Sequence, residues 1–184
     1  MAEERRNRKF ASKDEEFGQE LIEVARVTRV SKGGKKMKFR ATLAIGDKKG
    51  RVGIAIAKGV DVSAAISKAF IKAKKNLIKV PLTKNNTIFH EIFSKYGAAK
   101  IILKPAPPGT GVKAGGAVRT ILELAGVQNV TGKILGSSNK INNVKAAIQA
   151  LSSFKLPKKA EKAVESKADE SGAKENNPEK NNIK

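Results

Sequence analysis

Between Lys36 and Ile45 the chain alternates. Met37, Phe39, Ala41, Leu43 and Ile45 are apolar, and Lys36, Lys38, Arg40, Thr42 and Ala44 stand between them, which is the two-residue period of a strand with one buried face. Upstream, Ile22 to Val30 is rich in β-branched residues, and Lys32-Gly33-Gly34-Lys35 reads as the loop joining two antiparallel strands. Downstream, Asp47-Lys48-Lys49-Gly50 is a tight turn into a third strand, where Val52, Ile54 and Ile56 alternate with Arg51, Gly53 and Ala55.

The period then lengthens. Asp61 is suited to cap a helix on which Val62, Ile66, Ala69, Phe70, Ala73 and Leu77 share one side. Lys68, Lys72, Lys75 and Lys79 fall at i, i+4, i+7 and i+11 on another side, and Pro81 ends the helix. Residues 17–82 therefore predict a β-β-β-α unit. In the second unit, strand-like Thr87–Phe93 and Ala98–Lys104 flank a turn at Tyr96-Gly97, and Pro105 to Gly111 is too rich in Pro and Gly to be regular. A helix follows from about Ala114 to Ala125, with Val118, Ile121, Leu122 and Ala125 inward and Gly126 as its stop. Val130–Leu135 predicts a strand, and Asn139 caps a last helix carrying Val144, Ala147, Ile148 and Leu151. Residues 83–157 thus predict a β-β-α-β-α two-layer domain, and the fold class is α+β. Residues 1–16 read as a mobile arm and 158–184 as a disordered charged tail, since neither has a hydrophobic period.

Charge changes the picture more than length does. Lys and Arg number 38 against 17 Asp and Glu, a net charge of +21 over 184 residues. The arm holds five residues of each sign and the tail seven basic and six acidic, so 17–157 keeps 26 basic and only 6 acidic residues. Of these, 17–82 holds 16 and 4, and 83–157 holds 10 and 2. A basic folded body points to a shaped surface held against ordered phosphates, whereas a basic tail would point to loose attachment. The chain has no Cys and one His, which removes zinc fingers, thiol catalysis and disulfide frameworks together. No apolar run reaches the roughly twenty residues of a membrane span. With no apolar signal core and with Glu3, Glu4, Asp14, Glu15 and Glu16 near the start, a soluble cytoplasmic protein is expected, with no membrane partner.

Catalytic motifs are incomplete. Gly111 to Gly116 has phosphate-loop spacing, but Ala117-Val118 stand where Lys and Ser/Thr would grip phosphate and magnesium. The glycine-rich approach to a helix could instead offer backbone N–H groups to an RNA phosphate, or could simply be a tight turn that packs the helix. His90 has no carboxylate or nucleophile at telling spacing and reads as structural. No catalytic residue, metal, cofactor or small-molecule substrate is expected.

The Lys68/Lys72/Lys75/Lys79 stripe has no acidic partner at i±4, and Lys32, Lys35, Lys36, Lys38, Arg40, Lys48, Lys49 and Arg51 crowd the same unit. The layout is related to that of double-stranded-RNA-binding domains, and aromatics at 4% leave few platforms for single strands. Folded RNA is the expected partner, read by shape and phosphate. A free-standing regulator or chaperone of structured RNA is the alternative.

Several strings are similar to the bacterial ribosomal protein S-five family. They are Arg26-Val27-Thr28-Arg29-Val30-Ser31-Lys32-Gly33-Gly34 with Lys38-Phe39-Arg40-Ala41, and Gly46-Asp47-Lys48-Lys49-Gly50-Arg51-Val52-Gly53. Ala64-Ala65-Ile66 with Lys72 to Asn76, KPAPPGTGVKAGGAVRTILEL from Lys104 to Leu124, and Leu135-Gly136-Ser137-Ser138-Asn139 complete the set, in order over about Glu20 to Leu151. The resemblance implies a double-stranded-RNA-binding-like domain followed by an S-five domain 2-like one, in a structural protein of the small ribosomal subunit. It implies that the hairpin from Arg26 and Arg29 to Lys36, with Lys32, Gly33 and Gly34 at its tip, reaches ribosomal RNA near the spectinomycin site. It further implies contacts with proteins S-four and S-eight. The S-four contact falls around Gly109, Thr110, Gly111 and Arg119 and bears on decoding accuracy. A position beside the path of incoming mRNA, with a part in unwinding it, is also implied. Lys113 joins the expected RNA contacts. The sequence departs from the family pattern at Ile54 to Ala57, where Gly and aromatic residues are frequent, and at Lys140, where Pro is usual.

Overall fold

The computed structural model describes residues 17–83 and 85–154; the expected arm and tail lie outside them. β1 (Gly18–Ser31) and β2 (Gly34–Gly46) form a long antiparallel hairpin, and β3 (Arg51–Gly59) extends the sheet. Helix α1 (Val62–Lys75) packs on one face, and β4 (Leu77–Lys79) closes the order β1-β2-β3-β4. The second half runs β5 (Ile92–Tyr96), β6 (Ala99–Pro105), β7 (Val112–Lys113), α2 (Gly116–Ala125), β8 (Val130–Ile134) and α3 (Lys140–Ser152). Its sheet order is β5-β6-β8-β7, with only the β7–β8 pair parallel. The α+β class and both layouts follow the sequence reading, with local corrections.

The first correction is at the end of α1. The periodicity carries the helix on to Pro81, but it stops at Lys75, and Lys79 lies on β4 opposite Arg51. Gly53 explains the stop: a Cβ there would lie 2.8 Å from the Ala73 carbonyl oxygen, so glycine lets the helix end press onto β3. The following residues then pair with β3, and that pairing outweighs helical propensity. Asp61 is the N-cap residue, yet its side chain makes no capping bond. The strand expected at Thr87–Phe93 begins only at Ile92. Thr83 and Thr87 instead stitch a turn, with Thr87 N–H donating to Thr83 Oγ1 at 3.2 Å, and Thr87 makes a single bridge to Asn129. α2 begins at Gly116, since the short strand β7 takes up Val112–Lys113. Asn139 caps α3 as expected, accepting from Ile141 N–H at 3.1 Å.

Two hydrophobic clusters hold the molecule. Leu43, Ile45, Ala55 and Ala57 meet Ala69 and Ala73 between the first sheet and α1. The larger cluster joins Ala44 and Val52 of the first sheet to Ile101, Leu103, Ile121, Leu122, Val130, Val144 and Leu151 of the second half. β2 is thus buried on both faces over Ala41–Gly46. This is why Thr42 and Ala44, outward in the strand period, are buried.

Candidate nucleic-acid interface

The basic residues grouped by sequence separate into distinct places. β3 joins β2 only from Phe39, paired with Gly59, so Val27–Ser31 and Gly34–Lys38 continue as a bare two-stranded ribbon. At the usual rise per residue that ribbon projects about 15 Å beyond the sheet. Its cross-strand pairs assign Arg29, Lys36, Lys38 and Arg40 to one face and Arg26 and Lys35 to the other, with Lys32 at the tip. Arg29 lies directly opposite Lys36, a like-charge pair that weakens the hairpin unless something anionic covers it. Arg40 reaches Glu23 at 3.9 Å, and Arg26 lies on the Met37 thioether. A Cβ at Gly33 or Gly34 would meet nothing, so the tip is open, and Gly34 has φ +130.

Lys48, Lys49 and Arg51 sit at the opposite end of β2, about 40 Å from the tip by strand rise. Their turn is built by Asp47, whose Oδ1 accepts from Lys49 N–H at 2.8 Å and Arg51 N–H at 2.9 Å. Asp47 Oδ2 accepts from the Arg51 guanidinium, which also covers the Phe17 ring at 5.2 Å. Burial alone would raise the Asp47 carboxyl, but the Arg51 side chain and the two N–H donors outweigh it and hold it below its ordinary 3.8. The turn docks on the second half: Lys48 N–H donates to Leu124 O and Gly50 N–H to Ala125 O, each at 3.0 Å. It is a joint first, with the Lys48 and Lys49 side chains exposed around it.

Lys68, Lys72 and Lys75 remain an exposed stripe on α1, and Lys79 stands apart on β4. Lys74 covers the Phe70 ring at 4.8 Å. On the second half, Lys113 is exposed on β7. Gly109 and Gly111 adopt φ +90 and +74, and their N–H groups donate to Asn129 Oδ1 at 3.0 and 3.4 Å. Asn129 Nδ2 donates to Asn85 O at 3.2 Å. At these two glycines the packing reading of the loop prevails over the phosphate reading, because the N–H groups already have a partner. Nothing in the sequence singled out Asn129; its role comes from a fold that returns β8 beside the loop. Arg119 is exposed and ion-paired to Glu123 at 2.7 Å, which raises its pKa. His90 stacks edge-on against Phe154 at 5.3 Å, a structural setting. Among the described residues no three His, Cys, Asp or Glu side chains come together as a metal site.

Comparison with known proteins agrees in both halves. Residues 17–81 match the family model described as "Ribosomal protein S5, N-terminal domain", and residues 94–164 match "Ribosomal protein S5, C-terminal domain". The chain is 52% identical over 157 residues to "Small ribosomal subunit protein uS5" of Nostoc punctiforme, covering 84% of this chain and 90% of that protein. It is 47% identical over 155 residues to the protein of that name in Thermosynechococcus vestitus, covering 84% and 89%. It is likewise 47% identical over 155 residues to "Small ribosomal subunit protein uS5c" of Rhodomonas salina, covering 84% and 92%.

Proposed function

This chain belongs to the ribosomal protein S5 family, and from that premise we propose that it locks ribosomal RNA within the small ribosomal subunit, gripping it first with the β1–β2 ribbon. It is a structural protein and not an enzyme. One observation carries the grip: a bare ribbon bearing Arg29, Lys32, Lys35, Lys36 and Lys38, with Arg26 at its base, extends from the sheet with no acidic residue between Val24 and Gly46. A two-stranded ribbon can reach between RNA helices where a flat sheet cannot. The Lys68, Lys72 and Lys75 stripe and the exposed Lys48 and Lys49 give further phosphate contacts elsewhere on the same body.

The finer reading has the ribbon tip at Lys32-Gly33-Gly34 against RNA near the spectinomycin site. The second half meets proteins S-four and S-eight, with S-four near Gly109, Thr110, Gly111 and Arg119, and the assembly lies beside the path of incoming mRNA. Support for an interface here is that Asn129 accepts from the Gly109 and Gly111 N–H groups and so orders the loop, and that Arg119 is exposed on α2. A preordered loop loses less entropy on docking.

Sedimentation of lysate through a high-salt gradient tests the main reading. The tagged chain should travel with small subunits after the wash. Recovery only in the soluble fraction would instead indicate a free-standing RNA regulator or chaperone.

A further inference from the structure

The second sheet is covered on one face only. Helices α2 and α3 bury Ser94, Ala99, Ile101, Leu103 and Val130. The pairing register sends the alternate residues the other way, and no described element lies over them. Phe93, Ile102 and Lys133 form one row straight across β5, β6 and β8. Lys95 and Lys100 form the row on one side; Lys104, Thr131 and Lys113 form the row on the other. All five lysines are exposed, and Phe93, a large aromatic within the edge strand β5, is 57% exposed. Among the described residues, the one acid paired with this face is Glu91, 3.2 Å from Lys104.

Two features of this face lack a reason within the chain itself. Lys95 directly opposite Lys100 is a like-charge pair that costs stability. An exposed Phe beside half-buried Ile102 leaves apolar surface in water. One class of ligand relieves both. A polyanion neutralises the lysines, and a polyanion with flat apolar faces covers the ring. A duplex keeps its bases stacked inside, so it offers only phosphate; an unpaired strand offers phosphate and free bases together. A protein partner fits less well, because the buried centre of a protein interface is depleted in lysine.

We propose that the uncovered face of the second sheet is a platform for an unpaired RNA segment, with a base stacked on Phe93 and phosphates held by Lys95, Lys100, Lys113 and Lys133. This rests on the RNA-binding reading above, but adds a second site, on the other half of the molecule and for a different form of RNA. Of its residues only Lys113 stood out along the chain, because five lysines scattered over Lys95 to Lys133 form a surface only once β5, β6, β8 and β7 lie side by side.

The test uses the full chain and a short fluorescent oligouridylate, with an RNA duplex of equal length in parallel. Phe93→Leu keeps the apolar bulk and removes the ring, and should weaken oligouridylate binding about ten-fold, while leaving duplex affinity and the melting curve unchanged. Phe93→Tyr should restore binding. Lys100→Gln with Lys133→Gln should lower the salt dependence of oligouridylate binding without altering that of the duplex. Ultraviolet crosslinking should place uridine on Phe93. The proposal is overturned if Phe93→Leu binds oligouridylate as well as the unaltered chain and crosslinks map only to Arg26–Lys38; RNA binding as such would then stand. It is equally overturned if Phe93→Leu weakens a pairwise ribosomal-protein contact and leaves oligouridylate binding intact. If the unaltered chain binds neither oligouridylate nor structured RNA, the parent reading fails as well.

Discussion

Gly46 lies so close beneath Leu124 that a Cβ at position 46 would stand 2.2 Å from the Leu124 carbonyl oxygen. Gly126 mirrors it, with φ +83 and the Lys48 carbonyl oxygen 2.1 Å from where its Cβ would be. With the Lys48 and Gly50 N–H donors to Leu124 and Ala125, these contacts make the end of the first hairpin and the end of α2 a single joint. The two halves are thereby fixed to each other, as the proposed locking of RNA would require.

Gly46→Ala should therefore force the joint apart and cost about 1–3 kcal/mol, the usual range for overpacking. Urea unfolding followed by circular dichroism measures the loss. An unchanged midpoint would mean that the two halves give way without cost.

Asp47 makes stability depend on pH in one direction. Its folded pKa is below the ordinary 3.8, so its contribution is fully present above that value and is lost as pH falls through the lower folded value. Asp47→Asn should flatten the acid limb of the stability–pH curve. At neutral pH it should cost about 1 kcal/mol, discounted because Arg51 is half exposed. Denaturant titrations on either side of pH 3.8 compare the two proteins.

At the ribbon, stability and affinity should move apart. Arg29→Gln removes a like-charge pair with Lys36 and should leave stability unchanged or raise it by a few tenths of a kcal/mol. The same change should weaken binding of structured RNA and reduce the slope of log affinity against log salt by about one. Fluorescence anisotropy at several salt concentrations reads both quantities. Loss of stability with full affinity would mark Arg29 as structural.

Asn129 holds three backbone groups, at Gly109, Gly111 and Asn85. Asn129→Ala leaves them without that partner and should cost about 2–3 kcal/mol. Hydrogen exchange should quicken at Gly109 and Gly111 and stay slow at Ile121 and Leu122, buried in the core. If the glycine amides exchange no faster, the loop is held by something else.

Much of the fold was legible because strand and helix periods are local. The alternation of Met37 to Ile45 marked β2, Gly126 marked the end of α2, and Asn139 marked the start of α3. The basic residues were legible as a group, but their arrangement was not. The sequence placed Lys32 and Lys48 in one unit, and β2 holds them at opposite ends. It also strung Lys79 on a helix, where β3 captures it as a strand.

The residue pattern by itself determined the order of elements, the α+β class, a basic body between nearly neutral ends, and the family strings. These depend on dihedral preference, side-chain period and charge, all of which a short window of chain contains. Only the tertiary structure decided that Thr42 and Ala44 would be buried, that Asn129 would hold the glycine loop, and that Phe93 would stay in the open. A two-residue period tells that a strand has two different faces, but what covers the second face is set by which distant segment packs there. For β2 that segment is α2, and for the second sheet no described element fills the place.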